Sequence, residues 1–109
     1  KMSTNRDCSL NEQYYNDCLT KNDSTKCKWL FTAIQLCKGE VSREKILLDI
    51  ENDLKVNPKT PSKKICCTCP ETKKARDDCF VTKDNSLCNF VLDAHKLCLR
   101  SEGFDISKL

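Results

Sequence analysis

Residues 69–98 read CPETKKARDDCFVTKDNSLCNFVLDAHKLC, and residues 8–37 read CSLNEQYYNDCLTKNDSTKCKWLFTAIQLC. Both carry the pattern C-x9-C-x8-C-x9-C: Cys8, Cys18, Cys27 and Cys37 recur as Cys69, Cys79, Cys88 and Cys98, each offset by 61 residues. The copies also agree outside cysteine, for Trp29 aligns with Phe90, Ala33 with Ala94, Leu36 with Leu97 and Asp17 with Asp78. Duplication accounts for this, and two small units of one design are expected in tandem.

Each unit reads as two helices. In the first, Cys8 to Leu19 lacks Gly and Pro, Asn22-Asp23-Ser24 makes a turn, and Cys27 to Cys37 forms the second helix, stopped at Gly39. In the second unit, Pro70 suits a first helical turn and Glu71 follows where an acid is favourable. This helix runs to about Val81; Asp84-Asn85-Ser86 turns the chain, and the last helix spans about Leu87 to Ser101, ended by Gly103. Cysteines ten apart on a helix lie ~15 Å apart along the axis and roughly 80° around it. Folding two such helices antiparallel brings the inner cysteines together near the turn and the outer ones together at the open end. Four cysteines allow three pairings; the nested one suits bridges between antiparallel helices. The expected bridges are Cys8–Cys37, Cys18–Cys27, Cys69–Cys98 and Cys79–Cys88, each stabilising by roughly 2–4 kcal/mol. Structural zinc needs four ligands converging on one point, usually in close pairs; ten-residue steps spread the sulfurs too widely.

Composition agrees. The chain has 109 residues, 10 of them Cys, and a formal net charge of +3. Units of about 30–40 residues seldom bury enough apolar surface to fold without cross-links. Cysteine at this density signals a disulfide scaffold and an oxidising compartment. The mild, interspersed charge gives no nucleic-acid footprint: Lys63-Lys64 and Lys73-Lys74 read as solvated surface. No apolar run is long enough to span a membrane, and neither a secretory signal core nor an Arg-rich presequence is visible at the N-terminus, which begins Lys1-Met2. Between the units, Ile46, Leu47, Ile50 and Leu54 fall at helical spacing behind Ser42, a candidate N-cap. This linker helix, Ser42 to Leu54, is expected to pack on a unit, docking on a foreign partner being the alternative. Residues 57–62, NPKTPS, form a flexible or extended connector. The fold expected is all-α: two tandem disulfide-bridged antiparallel helical hairpins, 1–40 and 65–109, joined by a helical linker, 41–64.

Two cysteines remain, Cys66 and Cys67, adjacent and just ahead of the second copy. The spacing resembles the twin C-x9-C (CHCH) proteins of the mitochondrial intermembrane space. Residues 64–77, KICCTCPETKKARD, together with Asp93-Ala94-His95-Lys96-Leu97-Cys98 and Gly103-Phe104, resemble the cytochrome c oxidase copper chaperone family over about residues 63–106. The family commonly has Pro where this chain has Ile65, which alters the stiffness of the approach to the cysteine pair. The first unit resembles only the general CHCH pattern, and no cysteine pair precedes Cys8, so no second copper site is implied.

The resemblance implies that Cys66 and Cys67 bind Cu(I), a soft ion that thiolates select. A two-thiolate site is open enough to hand its metal on, and metal binding requires deprotonated sulfur. It further implies an intermembrane-space location, import through the disulfide relay of that compartment, and copper-accepting cytochrome c oxidase assembly factors as partners. Cys69 belongs in the outer bridge, its joining the metal cluster in a more reduced form staying open. Two other functions stay open as well. One is a structural subunit or assembly factor of a respiratory complex, suggested by the extra unit and amphipathic linker. The other is a thiol redox carrier or sensor using a strained Cys66–Cys67 disulfide. His95, one turn before Cys98, reads as helix surface or packing rather than a ligand, and Trp29 and Phe31 read as packing. Of Tyr14 and Tyr15, one is expected in the core and the other exposed, docking of the relay enzyme being the alternative. No Ser/His/Asp set, phosphate loop or paired-carboxylate site stands out, so no enzyme is expected.

Overall fold

The computed structural model describes residues 8–82 and 85–106. Five α-helices follow in order: α1 (Ser9–Lys21), α2 (Lys28–Lys38), α3 (Arg43–Val56), α4 (Pro70–Thr82) and α5 (Asn85–Ser101). A single 3-10 turn, Ile65–Cys67, lies between α3 and α4, and there is no strand among the described residues. The fold is all-α, as expected.

Local chemistry sets the helix ends. In the α1–α2 turn Asp23 Oδ1 accepts from the Thr25 hydroxyl at 2.6 Å and the Lys26 N–H at 3.1 Å, a side-chain mimic of a backbone turn. Those bonds hold the Asp23 carboxyl below its ordinary pKa. Gly39 closes α2 at φ 77°. Its N–H reaches the Leu36 carbonyl and the Glu40 N–H reaches Gln35, the left-handed stop that glycine permits without Cβ strain. Ser42 caps α3, its Oγ accepting the Lys45 N–H at 3.1 Å. One boundary differs from expectation: α5 already includes Asn85 and Ser86, and Asp84 lies outside the described residues. Asn and Ser are favoured both in turns and at helix starts, so composition alone does not separate the two.

Cys8–Cys37 and Cys18–Cys27 tie α1 to α2, while Cys69–Cys98 and Cys79–Cys88 tie α4 to α5, with Cα–Cα distances of 5.8, 5.9, 6.3 and 5.8 Å. The hairpins then pack on each other through their second helices. α5 is central, in contact with α1, α2, α3 and α4. Cys18, Cys27 and Leu30 of the first hairpin share one apolar cluster with Ala75 and Val91 of the second. Tyr14 donates to Asp78 Oδ2 at 2.8 Å across the junction.

The linker helix packs inside the molecule. Ile50 is buried with Leu36 and Leu97 in a second cluster, and Ile46, Leu47, Leu54 and Phe90 pack against it partly buried; a fully buried aliphatic side chain stabilises by roughly 1.5–3 kcal/mol. Arg100 fastens α3 to α5 through a fork on Glu51, Nε to Oε2 at 2.6 Å and an Nη to Oε1 at 2.8 Å, and also donates to the Phe104 carbonyl. The pair lowers the pKa of Glu51 and raises that of Arg100. Beyond α3 the connector crosses the end of α5. Gly103 sits at φ 100°, and a Cβ there would lie 2.5 Å from the Lys59 carbonyl oxygen and 3.1 Å from Pro61 Cδ. The chain is thereby laid at the open end of the second hairpin, where the 3-10 turn begins.

Candidate metal centre

The cysteine pair is carried by the 3-10 turn. The Cys67 N–H bonds the Lys64 carbonyl at 2.9 Å, the Thr68 N–H bonds Ile65 at 3.4 Å, and the buried Thr68 hydroxyl donates to Lys64 at 3.0 Å. These bonds close the 3-10 turn that carries Cys66 and Cys67. Cys67 is exposed and stands outside the four bridges; the side chain of Cys66 lies outside the described part of the structure. Cys69 is buried in its bridge to Cys98 and belongs to the scaffold. Ile65, at the departure from the family pattern, is exposed.

Cys69 has φ 56°, a left-handed conformation that costs a non-glycine residue on the order of 1–3 kcal/mol and is less favoured still before Pro70. The surroundings restrain it. The bridge to Cys98 fixes its side chain, its carbonyl accepts from the Thr72 hydroxyl at 3.2 Å and from the Lys73 N–H at 3.0 Å, and Thr72 Oγ1 lies 2.9 Å from His95 Nδ1. His95 is 2% exposed. Burial, reinforced by Arg76 and Lys73 and opposed by Asp77, lowers its pKa to about 4, so the ring is neutral near pH 7. It is a buried packing residue that supports the Cys69 turn from behind, not helix surface. Among the described residues no group of three or more His, Cys, Asp or Glu side chains is placed to hold a metal.

Cys67 opens onto a cleft of about 270 Å³. One side is the second hairpin: Thr68, Cys69, Pro70, Glu71, Thr72, Cys98, Glu102 and Phe104, with Pro61–Lys63 of the connector. The other side is the first hairpin, through Thr25, Lys26 and Trp29. Trp29 packs both against the cluster of Cys69, Cys98 and Leu99 and against the cluster of Leu36, Ile50 and Leu97. Trp29 reads as packing in the sequence, yet nothing local shows that it packs beside the cysteine pair. Phe31 departs from the packing expected of it: it is 44% exposed, with its ring 5.4 Å from Tyr15. Tyr14 and Tyr15 do not divide into core and surface. Both are half-buried, Tyr14 held by Asp78 and Tyr15 set against Phe31.

The family model of the cytochrome c oxidase copper chaperone matches residues 61–106, which span the turn, α4, α5 and the segment of Gly103 and Phe104. Among similar proteins, the cytochrome c oxidase copper chaperone of Dictyostelium discoideum is 54% identical over 46 residues, 42% of this chain and 77% of that protein. Chaperone 2 of Arabidopsis thaliana is 56% identical over 46 residues, covering 42% of this chain and 64% of that protein. The protein of Sus scrofa is 54% identical over 43 residues, 39% of this chain and 69% of its own. No solved structure matches the chain. With more than three quarters of the Dictyostelium protein matched at this identity, and the matched stretch carrying the paired cysteines on their turn, the chain belongs to the cytochrome c oxidase copper chaperone family.

Proposed function

We propose that this protein carries Cu(I) on Cys66 and Cys67 and delivers it to assembly factors of cytochrome c oxidase in the mitochondrial intermembrane space. The observation that carries this reading is the exposed position of Cys67 on a turn that also holds Cys66, outside the four bridges and next to a rigid scaffold. Two thiolates select a soft monovalent ion and leave it accessible to an incoming ligand. Cys69 is engaged with Cys98, so the oxidised protein has a two-sulfur site, and a third sulfur joins only if that bridge is reduced. Residues 65–109 form the copper-handling module, residues 1–40 a module without a metal site, and residues 41–64 the linker that fastens them. The four bridges call for an oxidising compartment, in keeping with relay-assisted import. Among the described residues no helix is long and apolar enough to cross a membrane. The protein acts by carrying copper, not by catalysis.

The test is rescue. Expression in cells lacking their own cytochrome c oxidase copper chaperone restores oxidase activity, and Cys66→Ser or Cys67→Ser abolishes the rescue. Rescue that survives both substitutions refutes copper delivery by this pair.

A further inference from the structure

The first hairpin lies outside the stretch that matches the family model, yet it forms one side of the cleft at Cys67. We propose that this hairpin is a built-in wall of the copper site, with Trp29 as its positioning residue, so that bound copper exchanges from the opposite flank. This rests on the copper reading of Cys66 and Cys67.

Three observations support the wall. Trp29 packs against the Cys69, Cys98 and Leu99 cluster and against the Leu36, Ile50 and Leu97 cluster, and the Lys28 ammonium lies 5.0 Å over its ring, so the indole is tied to both hairpins. The bridge it packs on is two residues from Cys67, a short and stiff mechanical path. Thr25 and Lys26 extend the same wall from the Asp23 turn. Charge does not explain the arrangement. Lys26, Lys63, Glu71 and Glu102 all line the cleft, so its formal charges cancel, and the wall acts by shape.

The consequence concerns ligand exchange. An incoming thiolate attacks copper, one cysteine thiolate leaves and takes a proton from solvent, and the metal stays Cu(I). A wall on one flank slows this exchange and restricts it to acceptors that reach the other.

Trp29 is the chain's single tryptophan, so intrinsic fluorescence reads the wall in the unaltered protein. Cu(I) is added to the disulfide-intact chain while a chromogenic Cu(I) chelator reports binding independently. The proposal expects Trp29 emission to change in step with copper loading. It also expects chelator-driven copper release to be faster in Trp29→Ala by roughly threefold or more, because shielding contacts act mainly on the off-rate. Lys26→Ala, an exposed substitution that spares the core, is expected to shift release the same way. If copper binds but Trp29 emission is indifferent to it and release from Lys26→Ala is unchanged, the wall is overturned while the copper reading stands. If the unaltered protein takes up no Cu(I), both fall.

Discussion

His95 Nδ1 lies 2.9 Å from the Thr72 hydroxyl in the buried interior of the second hairpin, and the first hairpin has no such pair. The positions 61 residues earlier are Asn11 and Ile34. Both are buried, and Asn11 Oδ1 has no hydrogen-bond partner among the described residues. The two hairpins thus share a backbone plan but differ at the Thr72–His95 contact behind the Cys69 turn.

His95 makes stability depend on pH with a definite sign. Its pKa is about 4 folded against an ordinary 6.5, so the unfolded chain takes up the proton first. The stabilisation is complete above about pH 6.5 and is lost as pH falls to about 4, on the order of 1–3 kcal/mol in all. Urea unfolding followed by circular dichroism at pH 7, 5 and 4 checks this. His95→Leu is expected to flatten that part of the profile; a profile unchanged by the substitution contradicts the assignment.

Asn11 predicts a stabilising substitution. A buried carbonyl without a partner costs about 1–3 kcal/mol, and leucine is both apolar and a better helix former in α1. Asn11→Leu is expected to raise the urea midpoint, corresponding to about 1 kcal/mol, with copper handling unaffected. A lower midpoint would mean that the side chain is satisfied in solution.

Gly103 is required twice, for its φ of 100° and for the close approach of Lys59. Gly103→Ala is expected to lift the connector from α5 and to cost about 1–3 kcal/mol. Limited proteolysis reads this directly: cleavage within residues 57–62 should accelerate in the variant, and equal cleavage rates would exclude the packed connector.

The hairpins were legible from the chain alone because cysteine spacing, helix periodicity and stop residues are local signals. Ten-residue steps set the register of the bridges, and the stripe from Ile46 to Leu54 marked the linker helix. The docking of α2 on α5 was not legible, since both helices are apolar over wide faces and no period names a partner. Trp29 illustrates the limit: it reads as packing, but its place beside Cys69–Cys98 depends on how two hairpins meet. The close approach at Gly103 was hidden likewise, because a stop glycine and a contact glycine read alike. At the site, adjacency and family likeness singled out Cys66 and Cys67. The left-handed Cys69 and its support by Thr72 and His95 carry no sequence signature of their own.

The central claim is that Cys66 and Cys67 together hold one cuprous ion while eight cysteines stay bridged. Titration of the disulfide-intact protein with Cu(I) against a competing chromogenic chelator tests it most directly. Tight uptake of one ion per chain is expected, lost in Cys66→Ser and in Cys67→Ser and unchanged in His95→Leu. Uptake that persists in both serine variants, or that begins only after the bridges are reduced, would contradict it.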